Sequence, residues 1–314
     1  MNTKSISASA GHIRVHSILF GNEIDRIITT VRHLNRAADL AIAAGAAMSV
    51  TLAYGDSSPH RTFSEADIAR IRSECEALTD IEYHYFNANL GSAKGHNTLL
   101  ERAEDEVAAG KSVDSLLIMN PDVMLAPDAL IEMARPLRDP KTAMVEARQL
   151  PIEHPKEYNR LTGETDWATT ACALIPLAVC RELKGFDSES FFLYCDDVDF
   201  SWRARLAGYK VIYQPSAAVF HDKRLDKHGR WAPTSSERYY SAEAALLMAH
   251  KYSRPTIVSD LLRAFENSPE KHIRLAAQNF QQREREKRLP KPIDPKGKVS
   301  VFNGHFYTKH RFEL

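Results

Sequence analysis

The chain has little of what would mark a membrane-spanning, disulfide-stapled or nucleic-acid-binding protein. Its 41 Lys and Arg are balanced by 41 Asp and Glu, so no global basic field is available to hold a polyanion. The four cysteines, Cys75, Cys172, Cys180 and Cys195, are scattered without metal-ligand spacing or a disulfide framework, which suits a reducing cytoplasm. No uncharged run reaches the roughly 20 apolar residues of a spanning helix. The notable one, residues 40–55, is Ala-rich and broken by Gly45. The opening residues, MNTKSISASAGH, lack the apolar core of a signal peptide. Internal repeats and low-complexity tracts are not evident either. These absences predict a cytoplasmic protein with at most peripheral membrane contact. Its 314 residues are enough for one large or two modest domains with a substantial core.

What is present alternates between strand and helix patterns. Residues 13–20 read as a strand, followed by a helix carrying Ile24, Ile27, Ile28, Val31 and Leu34 at helical spacing. A second strand spans 48–53. Ser64 then opens a helix with Asp67 three residues on, a capping-box pattern. Residues 81–86 form a third strand, 92–109 a helix, and 115–119 a fourth strand whose continuous apolar run predicts burial on both faces. Pro127 suits the first turn of another helix. The expected fold is therefore an α/β sheet covered by helices. In such sheets, ligands bind beyond the carboxyl ends of the strands. Those ends carry Phe20-Gly21-Asn22, Asp56, Asn89-Leu90-Gly91 and Asn120-Pro121-Asp122. Gly and Asn there are also ordinary turn residues.

The densest chemistry lies in residues 191–221, FFLYCDDVDFSWRARLAGYKVIYQPSAAVFH. An aromatic-apolar run delivers Asp196, Asp197 and Asp199, and a helix follows with Val198, Trp202 and Leu206 on one face and Gly208 as its stop. Two short strands, 209–213 and 217–220, then lead to His221. Capping a helix needs only one carboxylate. Repulsion between neighbouring carboxylates makes a purely structural account of all three costly. In the N-P-D motif, a hard divalent ion would find one carboxylate, Asp122, and complete its shell with waters and phosphate oxygens. Imidazole at His221 suits Mn²⁺; His228 is a competing candidate.

Over roughly residues 13–225, these motifs resemble the nucleotide-sugar glycosyltransferases of family two, particularly their bacterial rhamnosyltransferase-like branch. Phe191, Phe192, Tyr194, Asp197, Asp199, Arg203, Gly208, Tyr209 and His221 match its F-F-x-Y-x-E-D-x-D-x-x-x-R…G-Y…H pattern, with Asp196 in place of Glu. The resemblance implies a GT-A-like, Rossmann-type mixed sheet as catalytic domain (1–232), followed by a mostly helical, basic extension (233–314). It implies nucleotide contacts from Phe20, Asn22, Asp56, Asn89, Gly91, Lys94, Asn97 and Asn120, the last replacing the first Asp of a D-x-D-like motif. It also implies a Mn²⁺ or Mg²⁺ site at Asp122 and His221. Asp197 is implied as general base, with Asp196 and Arg203 beside it in the catalytic group, and Trp167, Thr169 and Asp199 are implied on the acceptor side. Thr170 stands where the family has Gly and Pro176 where Arg is frequent, which changes the local backbone or the acceptor pocket.

The implied activity is inverting transfer from a dTDP- or UDP-sugar to a hydroxyl of a glycan or lipid-linked glycan. A catalytically silent sugar-nucleotide-binding or scaffolding subunit is the alternative, motivated by the substitutions at 120, 170 and 196. A nucleotidyltransferase would want a Gly-rich basic loop after the first strand, which Phe20-Gly21-Asn22-Glu23 is not. Beyond the resemblance, residues 235–251 read as a helix. A polar stretch leads to a second helix at 272–289, with a thin stripe of Ile273, Ala276, Ala277 and Phe280 among many basic residues. That stripe predicts either contact with an anionic membrane or packing onto the catalytic domain or a second copy. The final segment has strand-like alternation around Asn303-Gly304.

Overall fold

A computed structural model describes residues 9–223 and 233–308. The alternation is realised as β1 (His12–Leu19), α1 (Ile24–Ala43), β2 (Ser49–Asp56), α2 (Glu65–Ser73), β3 (Asp80–Tyr85), α3 (Gly91–Ala108) and β4 (Ser115–Met119). Next come β5 (Val123–Leu125), α4 (Ala129–Ala134), β6 (Thr142–Leu150), β7 (Glu164–Thr165), β8 (Cys172–Pro176), α5 (Leu177–Glu182), α6 (Asp196–Leu206) and β9 (Lys210–His221). The sheet order is β3-β2-β1-β4-β8-β6-β9-β5, with β7 pairing β9. The β3-β2-β1-β4 half is parallel; β8 is antiparallel to both its neighbours, β4 and β6, and β6 runs parallel to β9. The sheet is thus mixed.

Burial explains the layers. In β4, Leu117 and Met119 face one core with α1 and α4, while Leu116 and Ile118 face another with α3 and α5. The Ser64 capping box forms: the Asp67 N–H donates to Ser64 Oγ at 3.2 Å and the Ser64 N–H to Asp67 Oδ2 at 2.9 Å. The two strands expected at 209–213 and 217–220 are one, β9. Its pairing with β6 shifts register between Ala147 and Arg148, where an irregularity absorbs the Pro215 region that reads as a break in sequence.

The extension forms α7 (Ser235–Lys251), α8 (Pro255–Glu266) and α9 (Lys271–Arg285). The middle helix was expected as a polar stretch; its signal is Pro255 at the first turn and Ile257, Leu261 and Phe265 at four-residue spacing. These helices bury Leu246, Phe265, Ile273, Ala276, Ala277 and Phe280 against Phe191, Val198 and Trp202. The thin stripe of α9 is therefore spent on a core, and the apolar surface that motivated a membrane contact is not available for one. Helix α6, expected to bury one face, is buried on two: Val198 and Trp202 toward the extension, Phe200 and Ala204 toward the sheet. The Asn303-Gly304 turn forms, closed by the Asn303 N–H to the Phe306 carbonyl at 2.6 Å, but as an isolated bridge. No described helix is long and apolar enough to cross a membrane.

Candidate functional site

Parallel pairing brings the carboxyl ends of β1 to β4 to one edge, and local bonds knit them together. Leu19 pairs with Asp56, and Asp56 with Tyr85. The Gly21 N–H donates to Ser58 Oγ at 2.8 Å, and the Phe20 N–H to Asn22 Oδ1 at 2.8 Å, leaving the Phe20 ring exposed. Asp56 is buried and accepts from the Ser58 N–H at 2.9 Å, the Thr62 N–H at 2.8 Å and the Tyr83 hydroxyl. These bonds hold its carboxyl below the usual range despite burial, so it is a fixed anion at the strand edge. Asn89 is exposed, its Oδ1 accepting from the Gly91 N–H at 3.2 Å, and Lys94 is exposed on the first turn of α3. Helix N-termini favour anions, which suits a diphosphate there.

Two residues of this group serve the scaffold. Gly91 has φ +67°, and a Cβ there would lie 2.3 Å from the Phe192 carbonyl oxygen, so glycine lets the 191–195 loop close onto α3. Asn97 is committed to the turn before Asp187: its amide donates to the Phe186 carbonyl and its carbonyl accepts from the Phe186 N–H, both at 2.8 Å. It braces that turn rather than lining a nucleotide.

The N-P-D motif follows β4. The Asn120 N–H donates to the Ala171 carbonyl at 2.9 Å, and β5 pairs antiparallel with β9 so that Val123 faces His221. This register sets Asp122 Oδ1 3.3 Å from His221 Nε2. Nδ1 of the same ring meets Gln149 Oε1 at 2.8 Å, and a carbonyl oxygen can only accept. Among the described residues no three His, Cys, Asp or Glu side chains gather as a metal group. A hard or borderline divalent ion fits this pair as one carboxylate plus one imidazole, provided that substrate oxygens and water supply the rest. His228 lies outside the described residues.

At the start of α6, Tyr194 and Cys195 are both left-handed, with φ of 66° and 59°. Two consecutive non-glycine residues in that region store strain of the kind found at functional sites. This turn leads into α6, on whose first turn the three carboxylates meet different surroundings. Asp196 is buried inward and accepts from Ser92 Oγ at 2.8 Å, tying α6 to α3. Burial first, then the neighbouring Asp197 charge, pushes its carboxyl up to about 7. The raised Asp196 carboxyl eases the repulsion problem, because whenever it holds its proton Asp197 stands beside a neutral group. Asp197 is half-buried at the positive end of α6, its Oδ2 accepting from the Thr170 N–H at 3.3 Å.

Asp199 points the other way. It is fully buried, within 2.6 Å of Lys251 Nζ and 2.7 Å of Arg203 Nε, and accepts from the Tyr252 hydroxyl at 3.0 Å. This corrects the acceptor-side expectation for Asp199: its carboxylate is consumed in joining α6 to α7. Arg203 is likewise a brace, donating to the carbonyls of Leu183 and Gly185 at 2.7 and 2.8 Å. Trp167 is also not an open platform for a sugar. Lys156 Nζ sits 3.3 Å from its ring centroid and Tyr307 packs edge-on at 4.7 Å. Thr169 is buried, donating to Glu146 Oε1 at 2.8 Å and accepting from Gln149 Nε2 at 2.9 Å. Lys156, Glu146, Gln149, Lys251 and Tyr252 were missed in the sequence. None stands in a motif, and only Glu146 carried a signal, as a carboxylate within an apolar strand.

No family model matches the chain. It is similar to the N-acetylglucosaminyl-diphospho-decaprenol L-rhamnosyltransferase of Mycobacterium tuberculosis, 30% identical over 178 residues, covering 43% of this chain and 57% of that protein. It is also similar to the rhamnosyltransferase WbbL of Escherichia coli, 31% identical over 98 residues, covering 29% of this chain and 37% of that protein. The chain thus spans little more than half the length of the first of these relatives and less of the second. Two solved structures share the fold. One is a mannosyltransferase from Pyrobaculum calidifontis in complex with GDP-Man and Mn²⁺ (TM-score 0.54, 15% identity, 88% of this chain and 81% of that one). The other is GalNAc-T7 with UDP, GalNAc and Mn²⁺ (TM-score 0.57, 12% identity, 89% of this chain and 59% of that one). The fold is that of the GT-A glycosyltransferases, and the sequence similarity is to their rhamnosyltransferase-like branch.

Proposed function

We propose that this protein is an inverting glycosyltransferase that moves a sugar from dTDP or UDP to a hydroxyl of a glycan or lipid-linked glycan in the cytoplasm. The observation that carries this reading is the connection between two polar sites. Asp197 receives the Thr170 N–H, the next residue Ala171 receives the Asn120 N–H, and Asn120 leads directly to the Asp122–His221 pair. These contacts support the reading because they connect the Asp197 carboxylate and the Asp122–His221 pair near the strand ends that would take a nucleotide. The lipid-linked acceptor is supported by the name of the mycobacterial relative, and a nucleotide donor by the ligands of the structural neighbours.

In this reading the base lies against Asp56 and Phe20, and Asn22, Asn89, Lys94 and Asn120 border the donor. Asp122 and His221 would hold Mn²⁺ or Mg²⁺, which supplies neutralisation of the charge developing on the departing diphosphate. Asp197 takes the proton of the acceptor hydroxyl as that oxygen forms its bond to the anomeric carbon. The bond from the anomeric carbon to the phosphate oxygen breaks on the opposite face, so configuration inverts. Asp196, with its carboxyl raised by burial, favours Asp197 as the charged member of the pair and hence as the base.

The test is turnover and donor affinity of Asp197→Asn, after nucleotide sugars are screened for nucleoside diphosphate release with and without Mn²⁺. Loss of a general base costs on the order of 10²–10⁴-fold in turnover with nucleotide binding retained. Turnover within a few fold of wild type would remove Asp197 from that role.

A further inference from the structure

Behind His221 runs an unbroken series of buried polar contacts that ends on a charged anchor. Lys156 Nζ lies 2.8 Å from Glu146 Oε2, with side-chain exposures of 2% and 0%. The same ammonium donates to the Trp167 carbonyl at 3.1 Å. Glu146 Oε1 faces Thr169 Oγ1 at 2.8 Å, Thr169 Oγ1 faces Gln149 Nε2 at 2.9 Å, and Gln149 Oε1 faces His221 Nδ1 at 2.8 Å. The last member, His221 Nε2, faces Asp122 Oδ1 at 3.3 Å.

The polarity of this series is set at its far end. Burial raises the Glu146 carboxyl, but the Lys156 ammonium, which has only donors, at 2.8 Å from Oε2 and the Thr169 hydroxyl at 2.8 Å from Oε1 both favour its charged form, and as a carboxylate it can only accept. Thr169 must then give its hydroxyl proton to Glu146, and its lone pair is left for a donor. Of the two ends of the Gln149 amide only the NH₂ fills that need, which turns the amide oxygen toward His221. Nδ1 therefore carries the ring proton, and Nε2 of the neutral ring is a lone pair aimed at a carboxylate oxygen. Two acceptors face to face repel each other unless a cation lies between them, either a second proton on the ring or a metal ion.

We propose that Lys156, Glu146, Thr169 and Gln149 are positioning residues that lock His221 in its Nδ1–H tautomer, so that Nε2 and Asp122 present converging lone pairs to a divalent cation. The tautomer is a property of the protein alone; only the cation rests on the proposed function. A ligating imidazole whose other nitrogen donates to a fixed acceptor is held in orientation, and losing such a partner costs 10–100-fold in metal affinity.

The test uses the full chain and two readouts. Long-range ¹⁵N–¹H correlation spectra of the metal-free protein, at about pH 8, above the ordinary imidazole range, report which nitrogen of His221 is protonated, with His221→Asn as assignment control. Mn²⁺ affinity is measured in the presence of UDP. Wild type shows Nδ1–H. Thr169→Val keeps the shape but removes the hydroxyl, freeing the Gln149 amide to turn its NH₂ toward Nδ1. The ring then switches to Nε2–H, and Mn²⁺ binding weakens on the order of 10-fold or more. Thr169→Ser keeps the hydroxyl and restores both. A role in packing alone would lower the melting temperature of Thr169→Val without moving the tautomer. An Nε2–H or doubly protonated ring in wild type, or a ring unmoved in Thr169→Val, overturns the relay. An Nδ1–H ring with no Mn²⁺ bound overturns its metal-presenting purpose, while loss of transfer in Asp197→Asn is unaffected by either result.

Discussion

Asp199→Asn separates structure from chemistry at the start of α6. The change keeps the volume of the side chain and removes a buried charge held between Lys251, at 2.6 Å, and Arg203, at 2.7 Å. Breaking a buried ion pair from one side costs about 3–5 kcal/mol, because a cation is left without its counter-charge. The lower end applies here. Lys251 retains Asp187 at 2.6 Å, and Arg203 retains the carbonyls of Leu183 and Gly185. The expected loss is about 3 kcal/mol. At the roughly 2 °C per kcal/mol appropriate to a large chain, the melting temperature falls by about 6 °C. Thermal unfolding followed by circular dichroism reads this directly, with transfer assayed well below the transition. Asp197→Asn, at a half-buried position, is expected to shift stability by under about 1 kcal/mol while lowering turnover on the order of 10²–10⁴-fold. Asp199→Asn is expected to do the reverse. An unchanged melting temperature with lost turnover in Asp199→Asn would refute the bracing role and return Asp199 to the reacting groups.

Asp196 makes stability depend on pH in a definite direction. Its folded value, about 7, lies above the ordinary 3.8, so between these values the folded state keeps a proton that the unfolded state has released. Stability therefore falls as pH rises through that window, and Asp196→Asn should flatten the slope; identical urea-unfolding slopes between pH 4.5 and 7.5 in both proteins would exclude it. Gly91→Ala places a Cβ 2.3 Å from the Phe192 carbonyl oxygen at φ +67° and should cost about 1–3 kcal/mol and lower turnover. Gly208→Ala, also at positive φ but with nothing within 4 Å, should leave turnover unchanged, and equal turnover losses would undo the loop-closure account. Phe280→Ala, at a position 1% exposed in the core under α9, should cost about 3–5 kcal/mol. Truncation after Glu266 should abolish cooperative unfolding, and a truncated protein that melts sharply would return the tail to the role of an appended membrane or partner segment.

Much of the scaffold follows from local pattern. The all-apolar run of β4 requires burial on both faces, the Ser64–Asp67 pair caps its own helix, and the polar residues after β1 to β4 converge because those strands are parallel. The apolar run and the cap are set by neighbours in sequence, and the alternation of strand and helix patterns implies the parallel pairing, so these features were legible in the sequence by itself. The three carboxylates of α6 show where that reach ends. Helical geometry puts Asp196 and Asp199 about 60° apart and Asp197 to one side. Yet only the packing of α3, α7 and the strained 194–195 turn decides that the first and third are buried and the second is half-exposed. Asp122 meets His221 because β5 and β9 pair in one register, across almost a hundred residues. Glu146 and Gln149 would face opposite ways on a regular strand, and an irregularity in the β6–β9 pairing brings both into one buried network with Lys156. Such contacts belong to long-range registers and bulges, whose energies depend on side chains brought together only when the sheet closes.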